Sequence, residues 1–231
     1  MVARRAFGLF VTFEGPEGGG KTTHSRRLYD RLLQAGLAAI WTHEPGGTAI
    51  GDAIRAILLD RNRLRKLNPR VQALLISAAR AEHVSRVIRP ALARGKVVVC
   101  DRYTDSTLAY QGGGFRVGAR HLDSLNAFAT SGLTPDLTVL VDIDVLTGLG
   151  RKFAGRRDNA AAVQAMEWKD TPFHQRVRGT YLALAAAEPA RWLVVDGAAA
   201  LEREARRVWE RVESEARAHG LGPAGAQRQL L

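Results

Sequence analysis

The chain has 231 residues, of which 46% are hydrophobic and 25% charged, and a formal net charge of +11. That length and balance suit one globular α/β domain with its own core and exclude an intrinsically disordered chain. No apolar run reaches the roughly 18 residues that a membrane span needs, and the lone cysteine, Cys100, excludes an intramolecular disulfide, which suits the reducing cytoplasm.

Arginine supplies most of the positive charge; the lysines are Lys21, Lys66, Lys96, Lys152 and Lys169. Such a balance either draws polyanions, from nucleic acid to small phosphates, or is only a solvated arginine-rich surface, because no single basic block dominates. The start, Met1 to Phe7, is basic, but the apolar run after it is short and leads straight into a glycine loop, so no secretory signal is expected. Cys100 lies in an apolar run and reads as core packing rather than as a reactive thiol.

Short apolar runs alternate with helical patterns along the chain. The runs at 9–13, 38–41, 97–100, 137–141 and 192–195 predict strands. The intervening patterns predict helices over about 21–35, 49–60, 69–94, 122–130, 145–152, 171–187 and 201–219. Alternation of this kind predicts an α/β chain with a parallel sheet covered by helices on both faces. No repeat or linker divides the chain, so residues 1–219 are expected to form one domain and 220–231, rich in Gly, Ala and Gln, to fray. In an open parallel sheet ligands bind beyond the carboxyl ends of the strands. Four of the five runs are followed directly by residues with chemistry to offer.

After the first run come Glu14 and then Gly15-Pro16-Glu17-Gly18-Gly19-Gly20-Lys21-Thr22, which fits G-x-x-x-x-G-K-[ST] at every fixed position. Glycines let the backbone turn its N–H groups onto phosphate oxygens, and the helix that follows points its positive end at the same anion. Lys21 would reach the β- and γ-phosphates, and the Thr22 hydroxyl could ligate Mg²⁺. The bland alternative is a ligand-free strand-to-helix turn. The run at 97–100 ends in Asp101, the shape of a strand whose carboxylate helps hold Mg²⁺; alone this is a weak signal. Arg102 follows, and then Ser106, Thr107, Tyr110 and Gln111, a polar stripe at helical spacing where a packing stripe would be apolar. It is either a site or a solvent-facing helix.

The segments at 13–23 (FEGPEGGGKTT), 44–48 (EPGGT), 78–84 (AARAEHV), 101–114 (DRYTDSTLAYQGGG) and 135–144 (PDLTVLVDID) together resemble the bacterial thymidylate kinases, in that family's order and over most of the chain. The resemblance implies a P-loop NTPase-like three-layer fold, with a five-stranded parallel sheet and helices on both faces, and a homodimer that binds small-molecule nucleotides rather than nucleic acid or membrane. It implies transfer of a phosphoryl group from ATP to dTMP, giving dTDP, with Mg²⁺ as cofactor. ATP would lie on residues 15–23, including Thr23, and under Arg156 and Arg157. dTMP would lie among Glu17, Glu44, Pro45, Ile76, Arg80, Arg102, Ser106, Thr107, Tyr110 and Gln111. Arg102 would grip its phosphate, Arg80 the thymine edge, and Tyr110 would crowd the sugar 2′ position. Lys21, Arg102 and Arg151 would be catalytic, and Thr22 and Asp101 would hold the metal. Thr48 could equally be only the N-cap of the next helix, and Arg80 a surface arginine.

Two departures from the family pattern bear on function. Ile76 stands where the family usually has an aromatic that stacks on the base, so π-stacking is lost. His43 stands where the family has Arg before the Glu-Pro-Gly-Gly-Thr segment, so that cation must come from elsewhere. The basic segment at 151–157 opens a lid expected over about 150–165. This glycine loop carries Glu17 and no cation except Lys21, so the lid must supply one; Arg151 fits best, and Glu167 fits the last place of the lid pattern. Two other readings stay open: a nucleoside kinase, with Glu14 or Asp101 recruited as base, and a P-loop ATPase acting on nucleic acid.

Overall fold

A computed structural model of the chain describes residues 8–60, 67–154 and 171–222. Five parallel strands form one sheet in the order β2-β3-β1-β4-β5. They are β1 (Leu9–Glu14), β2 (Ala39–His43), β3 (Val97–Asp101), β4 (Leu137–Asp142) and β5 (Trp192–Asp196). β1 pairs with β3 on one side and β4 on the other, for example Val11 with Val99 and with Leu137. The crevice at the end of β1 is therefore where the order reverses, the place at which an α/β sheet opens to a ligand.

The central strands β1, β3 and β4 are buried on both faces, as a parallel sheet requires, while β2 and β5 at its edges are partly exposed. Their alternation divides the core. Leu9, Val11 and Phe13, with Val97 and Val99, pack against Leu28 and Leu32 of α1 (Lys21–Gln34) and against Val208 and Val212 of α8 (Leu201–Ala218). Phe10, Val98 and Cys100 face the other way, onto Ile88 and Leu92. Leu140 meets Val177 and Tyr181 of α7 (Thr171–Ala187) on that same side. Cys100 is fully buried, and burial pushes its thiol well above the usual range, which fits the packing role.

Two helices differ from the sequence expectation. The span expected as one α-helix over 69–94 is α3 (Pro69–His83), then a π-helical stretch (Val84–Ile88), then a final α-helical turn (Arg89–Ala93). Pro90 explains it: a proline inside an α-helix lacks the N–H and crowds the carbonyl four residues back, and a wider turn relieves the clash. α4 (Thr104–Thr107) likewise runs into a π-helical stretch, Leu108–Gly114. α2 (Ala49–Leu59), α5 (Ala119–Thr130) and α6 (Val145–Phe153) complete the described helices, α5 starting earlier than its apolar pattern predicts. Among the described residues no helix is long and apolar enough to cross a membrane.

Thr48 is the N-cap of α2, its Oγ1 accepting from the Gly51 N–H at 3.0 Å. Thr48→Ala should cost about 1 kcal/mol of unfolding free energy, and Thr48→Ser little. Urea denaturation would show it; equal midpoints for wild type and Thr48→Ala would rule the cap out as a stabiliser.

Candidate active site

The glycine loop lies between β4 and α6. Gly15 (φ 141°) and Gly18 (φ 73°) both have left-handed backbone. A Cβ on Gly15 would press into the Val141 carbonyl, and one on Gly18 into the Gly148 carbonyl. The loop is thus braced on backbone at both ends, and its backbone leads into α1 with Gly20 as N-cap. Lys21 is buried and its Nζ donates to the Pro16 carbonyl at 2.6 Å. Burial first, then neighbouring Arg102, pulls its ammonium down to about 8, against the pull of Glu17, Asp101 and Glu14. A polyphosphate arriving there would supply the counter-charge that Lys21 lacks.

Two cavities open beyond the strand ends. The smaller, of about 360 Å³, is lined by Glu17, Gly18, Gly20, Lys21, Thr22, Thr23 and Asp101, with Trp41, His43 and Arg55 opposite. The larger, of about 900 Å³, is lined by all ten residues that the resemblance assigns to dTMP: Glu17, Glu44, Pro45, Ile76, Arg80, Arg102, Ser106, Thr107, Tyr110 and Gln111. Glu17, Glu44 and Arg102 border both, so the two spaces meet along that seam.

Arg102 at the seam has φ 73°, an uncommon left-handed conformation for a residue with a side chain. Its own N–H donates to the Phe13 carbonyl (3.0 Å), and the next N–H, of Tyr103, donates to Glu14 Oε1 (2.7 Å). Its guanidinium donates to Glu17 Oε1 (3.0 Å), Ser106 Oγ (3.2 Å) and the Tyr110 hydroxyl (3.3 Å). Ser106 and Tyr110 therefore share a face toward Arg102, as their spacing predicts. Burial disfavours the Glu17 carboxylate, but Arg102, Lys21 and Lys152 outweigh it and hold the group well below the usual range.

Behind Arg102 is a buried hub that has no motif of its own. Glu14 accepts from Ser106 Oγ (2.6 Å) and from the Tyr181 hydroxyl (2.9 Å), besides the Tyr103 N–H. Burial, reinforced by Asp105, raises its carboxyl to about 7, although Ser106, Arg102 and Tyr103 pull it down. Tyr181 lies 167 residues away in sequence, on a helix whose pattern gives no hint of a site.

Arg80 is not a surface arginine; it is 1% exposed. It donates to Glu44 Oε2 (2.7 Å), Asn126 Oδ1 (2.7 Å), the Tyr103 carbonyl (2.9 Å) and Thr107 Oγ1 (3.1 Å). Four of the five guanidinium N–H groups are thereby engaged and one Nη2–H is left. Burial disfavours the Glu44 charge, yet Arg80 and then His83 hold its carboxyl below the usual range. Glu44 thus forms a wall of the larger cavity chiefly by holding Arg80 in place.

Thr22 Oγ1 donates to Asp101 Oδ2 at 2.5 Å, beside the glycine loop. A hydroxyl and a carboxylate are hard oxygen donors, a fitting pair for Mg²⁺, which keeps water and phosphate oxygens as its other ligands. Among the described residues there is no cluster of three or more His, Cys, Asp or Glu that could hold a metal by itself.

Arg151 is not brought to the seam. Its Nη1 donates to the Gly197 carbonyl at 2.6 Å, past the end of β5, and it lines neither cavity. Arg156, Arg157 and Glu167 lie outside the described residues. Sequence reasoning missed Arg55 in the smaller cavity, and Lys152 and Phe173 in the larger. Arg55 lies on α2 beside His43 and donates to the Pro45 carbonyl (2.8 Å), so a cation stands in that quarter even though position 43 holds none of the family's arginine.

A family model described as thymidylate kinase matches residues 13–208. The chain belongs to the thymidylate kinase family. It is 49% identical over 203 residues to a thymidylate kinase of Thermomicrobium roseum, covering 88% of this chain and 93% of that one. It is 50% identical over 205 residues to one of Solidesulfovibrio magneticus, covering 87% and 97%. A crystal structure of thymidylate kinase from Ehrlichia chaffeensis superposes with a TM-score of 0.64 at 32% identity, over 81% of this chain and 92% of that one.

The Glu14 hub has a measurable signature. Its carboxyl rises on folding from the ordinary 4.5 to about 7. The proton therefore favours the folded state, and that contribution is complete below pH 4.5 and lost as pH rises through 7. The difference corresponds to roughly 3 kcal/mol at most. Urea unfolding at pH 5 and pH 7.5 should show wild type losing more stability than Glu14→Gln over this interval; parallel slopes would refute the buried proton.

Proposed function

We infer that the protein transfers the γ-phosphoryl group of ATP to dTMP, giving ADP and dTDP. One observation carries the reading beyond family membership: a glycine-loop cavity and a larger, partly apolar cavity meet at Arg102 and Glu17. Two nucleotides seated in them would face each other phosphate to phosphate.

The acceptor is a phosphate that is already largely dianionic near neutral pH, so no general base has to activate it. Catalysis then consists of holding two anions in line while cations cancel their repulsion. Lys21 and the N–H groups of the loop hold the donor, with Arg55 on the opposite wall of that cavity. Arg102 holds the acceptor phosphate, its left-handed backbone fixed through Glu14 and Phe13. The remaining Nη2–H of Arg80 serves the thymine edge, and Thr107 and Gln111 complete that wall. Tyr110, which donates to Glu17 at 3.0 Å, bounds the sugar. Thr22 and Asp101 would hold Mg²⁺, which would supply charge neutralisation for the phosphoryl transfer. Arg151, on the Gly197 carbonyl, and Arg156 and Arg157 are assigned to the donor side. A nucleoside acceptor would need a base; Glu14, the buried carboxyl best poised by its raised affinity for a proton, is taken up by Ser106, Tyr181 and Tyr103.

A coupled ADP-release assay tests this. The enzyme should turn over dTMP and be nearly inactive with thymidine. Arg102→Ala should lose on the order of 100-fold or more in turnover while still binding ATP, and near-normal turnover would reject its role. Ile76→Phe should restore stacking on the base and lower KM for dTMP and dUMP several-fold; unchanged constants would count against a base packed on Ile76.

The same reading includes action in the cytoplasm as a homodimer. α2, α3 and α5 carry exposed apolar residues: Ile50, Leu59, Val71, Leu74 and Phe128, the last 85% exposed. α3 packs against both α2 and α5, and apolar residues exposed on adjoining helices support an interface. Sedimentation should give roughly twice the 25.2 kDa chain mass, and Phe128→Asp should shift the mass toward monomer; a monomeric wild type at micromolar concentration would exclude the dimer.

A further inference from the structure

The charges at the seam leave a gap that one side chain among the described residues is placed to fill. An acceptor phosphate approaching Arg102 meets a guanidinium already paired with the Glu17 carboxylate at 3.0 Å, with the Glu14 carboxyl close behind. Arg80 is likewise paired, with Glu44 at 2.7 Å. These pairs offer hydrogen bonds but little net positive charge, and bringing two phosphates together needs net charge. Lys21 faces the donor from the loop, and Arg55, held on the Pro45 carbonyl, faces it from the opposite wall. A further cation has to reach the seam.

Among the described residues, α6 comes close enough to bring one. Its Gly148 packs against the glycine loop so tightly that a Cβ there would run into the Glu17 carbonyl, and the Gly18 position is closed in return by the Gly148 carbonyl. Residues four apart lie on one face of an α-helix, one turn along. Four residues after Gly148 is Lys152, and its Nζ lies 3.3 Å from Glu17 Oε2. It lines the larger cavity, with its side chain 35% exposed. Arg151 is turned about 100° away on the same helix and donates to Gly197. Three cations, Arg102, Lys21 and Lys152, thus converge on one carboxylate from the acceptor floor, the loop and α6.

We propose that Lys152 is the cation that α6 contributes to the transferring phosphoryl group, exchanging its contact with Glu17 for phosphate oxygens when both nucleotides are bound. No bond to Lys152 forms or breaks. The ammonium stays protonated and serves as a positive charge and hydrogen-bond donor toward the oxygens on which charge accumulates. Glu17, still paired with Arg102, keeps the ammonium poised at the seam until then. The assignment rests on the dTMP kinase reading and sharpens it.

Steady-state kinetics of Lys152→Met and Lys152→Arg, with ATP and dTMP each varied, tests it. Lys152→Met should lower kcat on the order of 100-fold, with the KM for dTMP changing far less. Its thermal midpoint and its ATP affinity without dTMP should match wild type. Lys152→Arg should regain at least a tenth of wild-type kcat. A purely structural Lys152–Glu17 pair would instead show in the thermal midpoint and leave kcat alone. Wild-type kcat in Lys152→Met, or a loss that Lys152→Arg does not relieve, would overturn the assignment while leaving the dTMP reading standing. Failure of the wild-type enzyme to form dTDP would overturn both.

Discussion

The repulsion between two phosphate groups is the constraint around which the cleft is built. Two polyanions meet only where fixed cations have been prepared in advance, and fixed cations in a folded protein repel one another and resist burial. Glu17 resolves the conflict. A carboxylate set among Arg102, Lys21 and Lys152 lets three positive groups stand together before any nucleotide arrives. Arg102 and Lys152 then each have an anion to leave and an anion to go to, while Lys21, held on the Pro16 carbonyl, gains its counter-charge on binding.

Rigidity behind the seam follows from the same need. Arg102 must stay in a left-handed conformation whose cost is roughly 1–2 kcal/mol for a residue with a Cβ. Glu14 meets that demand by gathering the Tyr103 N–H, the Ser106 hydroxyl and the Tyr181 hydroxyl, which ties β1, the segment after β3 and α7 together. Arg80 and Glu44 repeat the arrangement on the base side, with Asn126 from α5 and His83 from α3 as outer supports. Buried charges of this kind are costly unless every partner is in place. Each hub draws its partners from elements far apart in sequence, so the cleft exists only in the assembled fold.

That dependence sets what could be read from the residues alone. The strands were legible because buried β-branched runs have few other uses, and the glycine loop because its spacing carries its own chemistry. The ten residues that the resemblance assigns to dTMP fell on short segments that each keep their own order, and the sheet brings those segments to one cavity. The π-helical stretches were not legible, since apolar spacing does not separate a wide turn from a normal one until a proline has to be accommodated. Tyr181 and Asn126 were invisible because each acts through a partner on a distant element. Arg151 and Lys152 show the sharpest limit. A basic run gives the charges, but which one faces the seam depends on helix phase, and that is fixed by Asp144 capping the helix and Gly148 touching the loop.

Position 43 makes the converse point. The family's arginine is absent there, yet the cavity wall still has a cation, Arg55, reaching in from α2 while anchored on the Pro45 carbonyl. What the cleft requires is positive charge at a place, and a place can be reached from more than one element. The histidine at 43 does not replace that cation: burial, and then Arg55 itself, depress its basicity. The same reasoning separates Arg151 from Lys152, where neighbours in sequence point in directions about 100° apart on one helix. In this cleft the position of a charge in space, set by helix phase and backbone contact, decides its role more than its position in a motif does.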